Sequence, residues 1–187
     1  MPEQKRLSLA GIGCGSRTRT YMKLAMEQKN RYRIAAAADP VKQRTEAVRD
    51  FAPEEERDSV RLFKDAASLL AEPRLADVAI IGTQDDYHYA PCRKAMELGY
   101  HVLLEKPIAK TLKEALELRD TARLLKRRVA VCHVLRYTQF YRTLKKSSTA
   151  GKSGKSSPSM PMKAWGRGTL PTPSCADTGA TAKPPLP

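Results

Sequence analysis

No apolar run in the chain approaches the roughly 18 to 20 residues that a membrane-spanning helix needs, and no apolar signal segment opens it. The uninterrupted apolar stretches are short, such as Val78-Ala79-Ile80-Ile81, a length suited to a strand covered on both faces. The four cysteines, Cys14, Cys92, Cys132 and Cys175, form no C-x-x-C pair and no metal-ligand spacing. Neither a disulfide framework nor a zinc site is therefore expected, and no metal is assigned. Aromatic residues make up only 6% of the 187, and no stacking platform, zinc motif or recognition-helix pattern is visible. The net charge of +14 invites a nucleic-acid partner, but it is spread thinly. Residues 1–146 hold 29 Lys and Arg against 19 Asp and Glu, and the densest basic run is Lys126-Arg127-Arg128. The expectation is a soluble, cytoplasmic chain with no membrane or nucleic-acid partner.

What is present is an alternation of strand and helix signals over residues 6–146. Strands are predicted at Arg6–Ile12, Tyr32–Ala38, Val60–Phe63, Asp77–Gly82, His101–Leu104 and Val129–Cys132. Helices are predicted from a Ser16 or Thr18 cap to Lys29, over Val41–Phe51, from an Asp65 cap through Leu70, and from Asp85 or Asp86 to a closing Gly99. Thr111-Leu-Lys-Glu114 reads as a capping box opening a helix to about Lys126, and Thr138–Lys146 reads as the start of another helix. Six short strands with helices between them predict an α/β Rossmann fold, a doubly wound parallel sheet in the order 3-2-1-4-5-6. Its ligand crevice lies at the carboxyl ends of the strands.

The chemistry-bearing motifs fall at those ends. Gly11-Ile12-Gly13-Cys-Gly15-Ser16-Arg17 joins the first strand to the first helix, the turn that lets backbone amides approach a pyrophosphate at a helix N-terminus. Ser16 stands where the third glycine of G-x-G-x-x-G would be. Asp39 ends the second strand, where a carboxylate accepts ribose hydroxyls and favours NAD; it equally suits a turn before Pro40 or a helix cap. Lys42 and Arg44 lie close by and keep NADP open. Thr83 ends the fourth strand beside the expected nicotinamide ribose. His88 follows, either facing the cofactor or partly buried in its helix. Glu105-Lys106-Pro107 ends the fifth strand. Lys106 there places an ammonium in the crevice, able to polarise a substrate hydroxyl or carbonyl, or else stands solvated before a loop proline.

These residues, with Ala38-Asp39-Pro40 and Val131-Cys-His133-Val-Leu-Arg136-Tyr137, resemble the N-terminal domain of the glucose–fructose oxidoreductase / inositol dehydrogenase (Gfo/Idh/MocA) family. The resemblance covers residues 6–146. It implies an NAD(P)-dependent oxidoreductase acting on a sugar, polyol or related hydroxyl compound, with NAD as cofactor and NADP possible. Lys106 is then catalytic. Gly11, Ile12, Gly13, Gly15, Ser16, Arg17, Asp39, Thr83, His88, Glu105 and Arg136 are then cofactor-binding, with Arg136 bordering the crevice. Gln84-Asp85 departs from the Pro-Asn frequent in the family. One branch of the family uses bound NAD transiently to cleave glycosidic bonds, which gives an alternative activity; a non-catalytic dinucleotide-binding protein is another.

Full-length members of that family continue into a second α/β domain that supplies the usual catalytic histidine, most of the substrate pocket and the homo-oligomer interface. Nothing after Lys146 resembles it. Residues 147–187 contain 7 Ser, 5 Thr, 7 Pro, 5 Gly and no Glu, a composition expected to be disordered. Codons shifted by one frame can spell family-like sequence over this stretch, so the expectation is a truncated chain ending in an out-of-frame tail.

Overall fold

The computed structural model describes residues 5–28 and 30–149. The described residues fall into two units, divided between Leu135 and Arg136.

The first unit is a six-stranded, wholly parallel sheet in the order β3-β2-β1-β4-β5-β6. Its strands are β1 Leu7–Ile12, β2 Tyr32–Ala38, β3 Arg61–Phe63, β4 Val78–Ile81, β5 His101–Leu104 and β6 Val129–Val131. Its helices are α1 Ser16–Glu27, α2 Lys42–Arg49, α3 Ala66–Leu70, α4 Tyr89–Glu97 and α5 Leu112–Leu124. The order is the one that the sequence pattern predicts. The second unit contributes α6, Gln139–Thr149, the helix whose start is predicted at Thr138–Lys146, and it runs through residues 147–149 of the stretch expected to be disordered. The expectation of disorder falls otherwise on residues 150–187, outside the described residues.

Side chains of the central strands point alternately to two faces, and each face has its own core. Ala10 and Ile12 of β1 join Leu69, Met96, Tyr100, Leu104 and Leu118 on one face; Leu9 joins Met22, Ile34, Val48 and Ile80 on the other. The alanine run of β2 carries a register shift against β1. Leu9 faces Ile34 but Ala10 faces Ala36, so Ala35 is an inserted residue. Ala35 and Ala36 therefore fall in the same core, against the strict alternation that the sequence suggests. Tyr100 is wholly buried, and its phenol accepts a hydrogen bond from the Leu75 amide at 2.8 Å.

Local signals explain where the helices begin and end. Thr111 and Glu114 form the expected reciprocal cap on α5, and Asp65 accepts from the Ser68 amide at 2.7 Å to cap α3. Gly99, at φ +93°, closes α4, with the Tyr100 amide donating to the Ala95 carbonyl at 3.0 Å. Two expectations are corrected. The residue capping α1 is Gly15; Ser16 is already helical, and the Thr18 hydroxyl turns back to the glycine loop. Asp85 and Asp86 do not cap α4, because a single 3-10 turn, Asp85–Tyr87, consumes them and His88 becomes the residue before Tyr89. Element ends also differ slightly: β1 starts at Leu7, α2 covers only Lys42–Arg49, and β6 stops at Val131.

At the amino ends of β1 and β4, one Asp77 carboxylate oxygen accepts from the Ser8 amide at 2.9 Å and the Ser8 hydroxyl at 2.7 Å. These bonds hold the Asp77 carboxyl below its ordinary value despite partial burial. A carboxyl lowered in the folded state stabilises above its unfolded value, about 3.9, and that contribution fades as pH falls through the lowered folded value. Ser8→Ala is expected to cost about 1 kcal/mol near neutrality, with solvent screening keeping it small. Thermal melts across pH should show the gap between the two proteins narrowing below about pH 3.9.

Candidate functional site

Three strand ends meet where the chain reverses direction across the sheet. β1 runs into Gly13, β2 into Asp39 and β4 into Gly82-Thr83, and β1 lies between the other two strands. This is the switch point at which open α/β sheets bind ligands.

The glycine loop is held from below. The Gly13 amide donates to the Ala38 carbonyl at 2.9 Å, and the Thr18 hydroxyl donates to the Gly13 carbonyl at 2.6 Å. Gly13 sits at φ +75°, and a Cβ there would lie 2.7 Å from both the nitrogen and the Cα of Thr83. The second glycine thus serves the packing of the loop on β4, as well as any approach of a ligand. Gly82 repeats the constraint, since its Cβ would meet the Thr18 hydroxyl at 2.4 Å.

Gly15 is different. Beyond its two chain neighbours, no atom of the described residues lies within 4 Å of where its Cβ would stand, and its φ of −66° suits any residue. The space in front of it is open. Gly15 heads α1, which has no side-chain cap and no acidic residue in its first turn, so its leading amides are available to an anion. The only buried side-chain nitrogen or oxygen lacking a partner among the described residues is Nε of Arg19, in the same turn region.

Asp39 is buried. One carboxylate oxygen accepts from the Cys14 amide at 2.8 Å; the other accepts from the Val41 amide at 2.8 Å and lies 3.6 Å from an Arg44 guanidinium nitrogen. Burial, with the neighbouring Asp39 charge, pushes the Cys14 thiol up to about 12, so it remains protonated. Gly13, Gly15, Asp39, Arg44, Thr83 and Tyr87 line a cavity of about 580 Å³, large enough for a cofactor.

The structure thus brings Gly13, Gly15, Asp39 and Thr83 to one cavity. Gly11 and Ile12 lie buried in β1 behind it, while Ser16 and Arg17 are exposed on the first turn of α1. His88 is buried, with Nδ1 2.6 Å from the Pro107 carbonyl and Nε2 3.1 Å from the Thr83 carbonyl. Its ring ties the exit of β5 to the exit of β4. Glu105 is buried at the end of β5; it accepts from the Tyr21 hydroxyl through one oxygen and from the Lys106 amide, at 2.9 Å, through the other. Burial, then the Glu105 hydrogen bond, pushes the Tyr21 phenol above its ordinary value. Lys106 is exposed and does not line the cavity, and its bond to Pro107 is cis. Arg136 lies in the second unit, in the turn Val134–Tyr137. Among the described residues no group of three or more His, Cys, Asp or Glu could hold a metal, and no helix is long and apolar enough to cross a membrane.

Sequence reasoning missed Thr18 as the loop's anchor and Tyr21 as the partner of Glu105. A signal existed: Thr18, Tyr21, Met22 and Ala25 form the i, i+3, i+4, i+7 stripe of α1 that faces the sheet.

Residues 7–133 match the profile of the Gfo/Idh/MocA oxidoreductase family, NAD-binding Rossmann fold. A curated relative, the uncharacterized oxidoreductase YdgJ of Escherichia coli, is 26% identical over 83% of this chain and 42% of its own length. A second, the uncharacterized oxidoreductase YhhX of the same organism, is 27% identical over 80% of this chain and 41% of its own. The chain therefore spans about two fifths of the length of the curated relatives it matches. Among solved structures, the WlbA dehydrogenase of Chromobacterium violaceum, in complex with NADH and UDP-GlcNAcA, superposes with a TM-score of 0.69. It is 22% identical and covers 81% of this chain and 42% of its own. The myo-inositol 2-dehydrogenase of Lactobacillus plantarum superposes with a TM-score of 0.68 at 20% identity, covering 81% of this chain and 43% of its own.

Proposed function

The chain belongs to the Gfo/Idh/MocA oxidoreductase family, with its NAD-binding Rossmann fold, and from that premise we propose that it binds NAD(H) for a dehydrogenase acting on a sugar, polyol or related hydroxyl compound. One observation carries the reading: a cavity of about 580 Å³ whose wall includes both the open N-terminus of α1 and the Asp39 carboxylate. The space in front of Gly15 and the uncapped first turn of α1 fit a diphosphate, and the carboxylate beside them fits a ribose.

When bound, the cofactor supplies a hydride donor or acceptor at the nicotinamide ring. The chain's own residues do the rest. The amides at the head of α1 hold the diphosphate, and each Asp39 oxygen, with one backbone amide already bound, keeps acceptor capacity for a ribose hydroxyl. Asp39 repels a 2′-phosphate while Arg44 attracts one, so this pair sets the balance between NAD and NADP. In carbonyl reduction the Lys106 ammonium would give a proton to the substrate oxygen, and in alcohol oxidation the neutral Lys106 amine would accept the hydroxyl proton. Tyr21 and Glu105 act on Lys106 from behind, fixing its backbone amide at the end of β5. The relatives support a substrate rich in hydroxyls, since the solved neighbours include dehydrogenases of inositols and one holding a nucleotide sugar.

The test is NADH fluorescence titration of the chain and of Lys106→Ala, with reduction of NAD⁺ by a panel of inositols, sugars and nucleotide sugars as a second readout. Both proteins should bind NADH saturably and within about threefold of each other, because Lys106 is not among the residues lining the cavity. As expected of a chain spanning about two fifths of its relatives' length, NAD⁺ reduction should stay at a trace or below in both. Absence of saturable NADH binding in both would remove the cofactor reading, and a tenfold or greater loss of affinity in Lys106→Ala would make the lysine a cofactor ligand.

A further inference from the structure

A second cavity, of about 330 Å³, lies at the other end of the sheet. It is walled by residues at the amino ends of β1, β2 and β4: Lys5, Arg6, Ser8, Arg33, Arg74 and Asp77 among them. The parallel strands put it about 20 Å from the glycine loop, the length of a six-residue strand. Nothing in the proposed hydride chemistry uses it.

Its charges do not cancel. Arg6 is paired with Glu56 at 2.7 Å. Lys5, Arg33 and Arg74 stand in no ion pair among the described residues, and Arg74 donates only to the Gly99 carbonyl, at 3.1 Å. The single carboxylate in the wall, Asp77, is already engaged by the amide and hydroxyl of Ser8. Lys5 and Arg74 stand close enough to Asp77 to favour its ionised form, so three cations against that one carboxylate leave a surplus of two positive charges facing one concavity. A concave wall of one sign concentrates its field on whatever enters. Arginine forks and a lysine ammonium donate to tetrahedral oxyanions, and a phosphoryl group near neutral pH carries about −1.5 to −2 charge, matching that surplus.

We propose that this cavity binds the phosphoryl group of a small ligand, at a site separate from the nucleotide cleft. Free phosphate and a phosphate monoester share the chemistry that the wall recognises. The inference does not depend on the cofactor reading, because the two sites share no residue.

The experiment is calorimetric titration of the full chain with inorganic phosphate and, separately, with glycerol phosphate, at low salt, with and without saturating NADH. The comparison protein is Lys5→Gln/Arg33→Gln, which removes two cations that make no direct hydrogen bond or ion-pair contact among the described residues, Lys5 acting on Asp77 only at longer range. Saturable binding is expected in both arms, persisting under NADH and weakened at least tenfold in the double variant, whose NADH affinity is unchanged. Tighter binding of the ester assigns the site to a phosphorylated metabolite; tighter binding of inorganic phosphate assigns it to the free anion. Absence of saturable binding, equal affinity in the double variant, or loss of phosphate binding when NADH is added would each overturn the proposal. The last result would place the phosphate at the glycine loop instead. A chain that takes phosphate but no NADH would overturn the cofactor reading and leave this one standing.

Discussion

Gly13→Ala should destabilise the protein by about 3 to 5 kcal/mol, a large share of the 5 to 15 typical of a domain. Two costs add. A side chain at φ +75° pays about 1 to 2 kcal/mol for the left-handed backbone. The added methyl would also sit 2.7 Å from backbone atoms of Thr83, so either the loop or the end of β4 must move. Moving either disturbs the Gly13 amide bond to Ala38 and the Thr18 hydroxyl bond to the Gly13 carbonyl. Urea melts measure the loss, and NADH binding should fall with it because the loop itself shifts. A loss below about 1 kcal/mol would mean that the loop has slack, against the close backbone packing described above.

Asp39→Ala should be nearly as damaging and should act on two properties. Removing the carboxylate strips the Cys14 and Val41 amides of their acceptor, each at 2.8 Å in the parent. Leaving the buried Cys14 donor and the part-buried Val41 donor unsatisfied costs about 2 to 4 kcal/mol together, most of it at Cys14. The ribose loses its acceptor as well, so NADH affinity should drop about 100-fold or more. Asp39→Asn separates the two effects, because it keeps one oxygen for an amide and discards the charge. Its stability should lie between the parent and the alanine variant, and the ratio of NADPH to NADH affinity should rise at least tenfold as Arg44 loses its counter-charge. An unchanged ratio would show Asp39 to be a strut of the loop with no part in choosing the cofactor.

Both predictions rest on residues that the sequence marks out, and the reason is locality. Glycine, the aspartate before Pro40 and the Thr111–Glu114 box declare themselves within a few positions, and the short apolar runs give six strands whose parallel order follows from right-handed crossovers. What stayed hidden depends on residues far apart in the chain. Tyr21 and Glu105 are separated by 84 positions, and only folding shows that a helix following the glycine loop grips the acid beside Lys106. His88 reads from sequence as either a cofactor contact or a partly buried helix residue; in the fold it is buried, its ring nitrogens against the Pro107 and Thr83 carbonyls. The start of α4 was misplaced for a local reason, since Asp85 and Asp86 suit a cap equally well whether a 3-10 turn or an α-helix follows. The different roles of Gly13 and Gly15 are also invisible in a string of glycines: one is required by the protein, and the other is left open.

That difference supplies the sharpest test of the central claim, that a diphosphate sits against the open head of α1. Gly15→Val should still fold, at a cost of about 1 kcal/mol for a poorer cap on α1, because beyond its chain neighbours no described atom lies within 4 Å of the new Cβ. NADH fluorescence titration of the parent should saturate, and the same titration of Gly15→Val, run well below its melting temperature, should be weakened at least tenfold. Equal NADH affinity in the two proteins, or no NADH binding in either, would contradict the account.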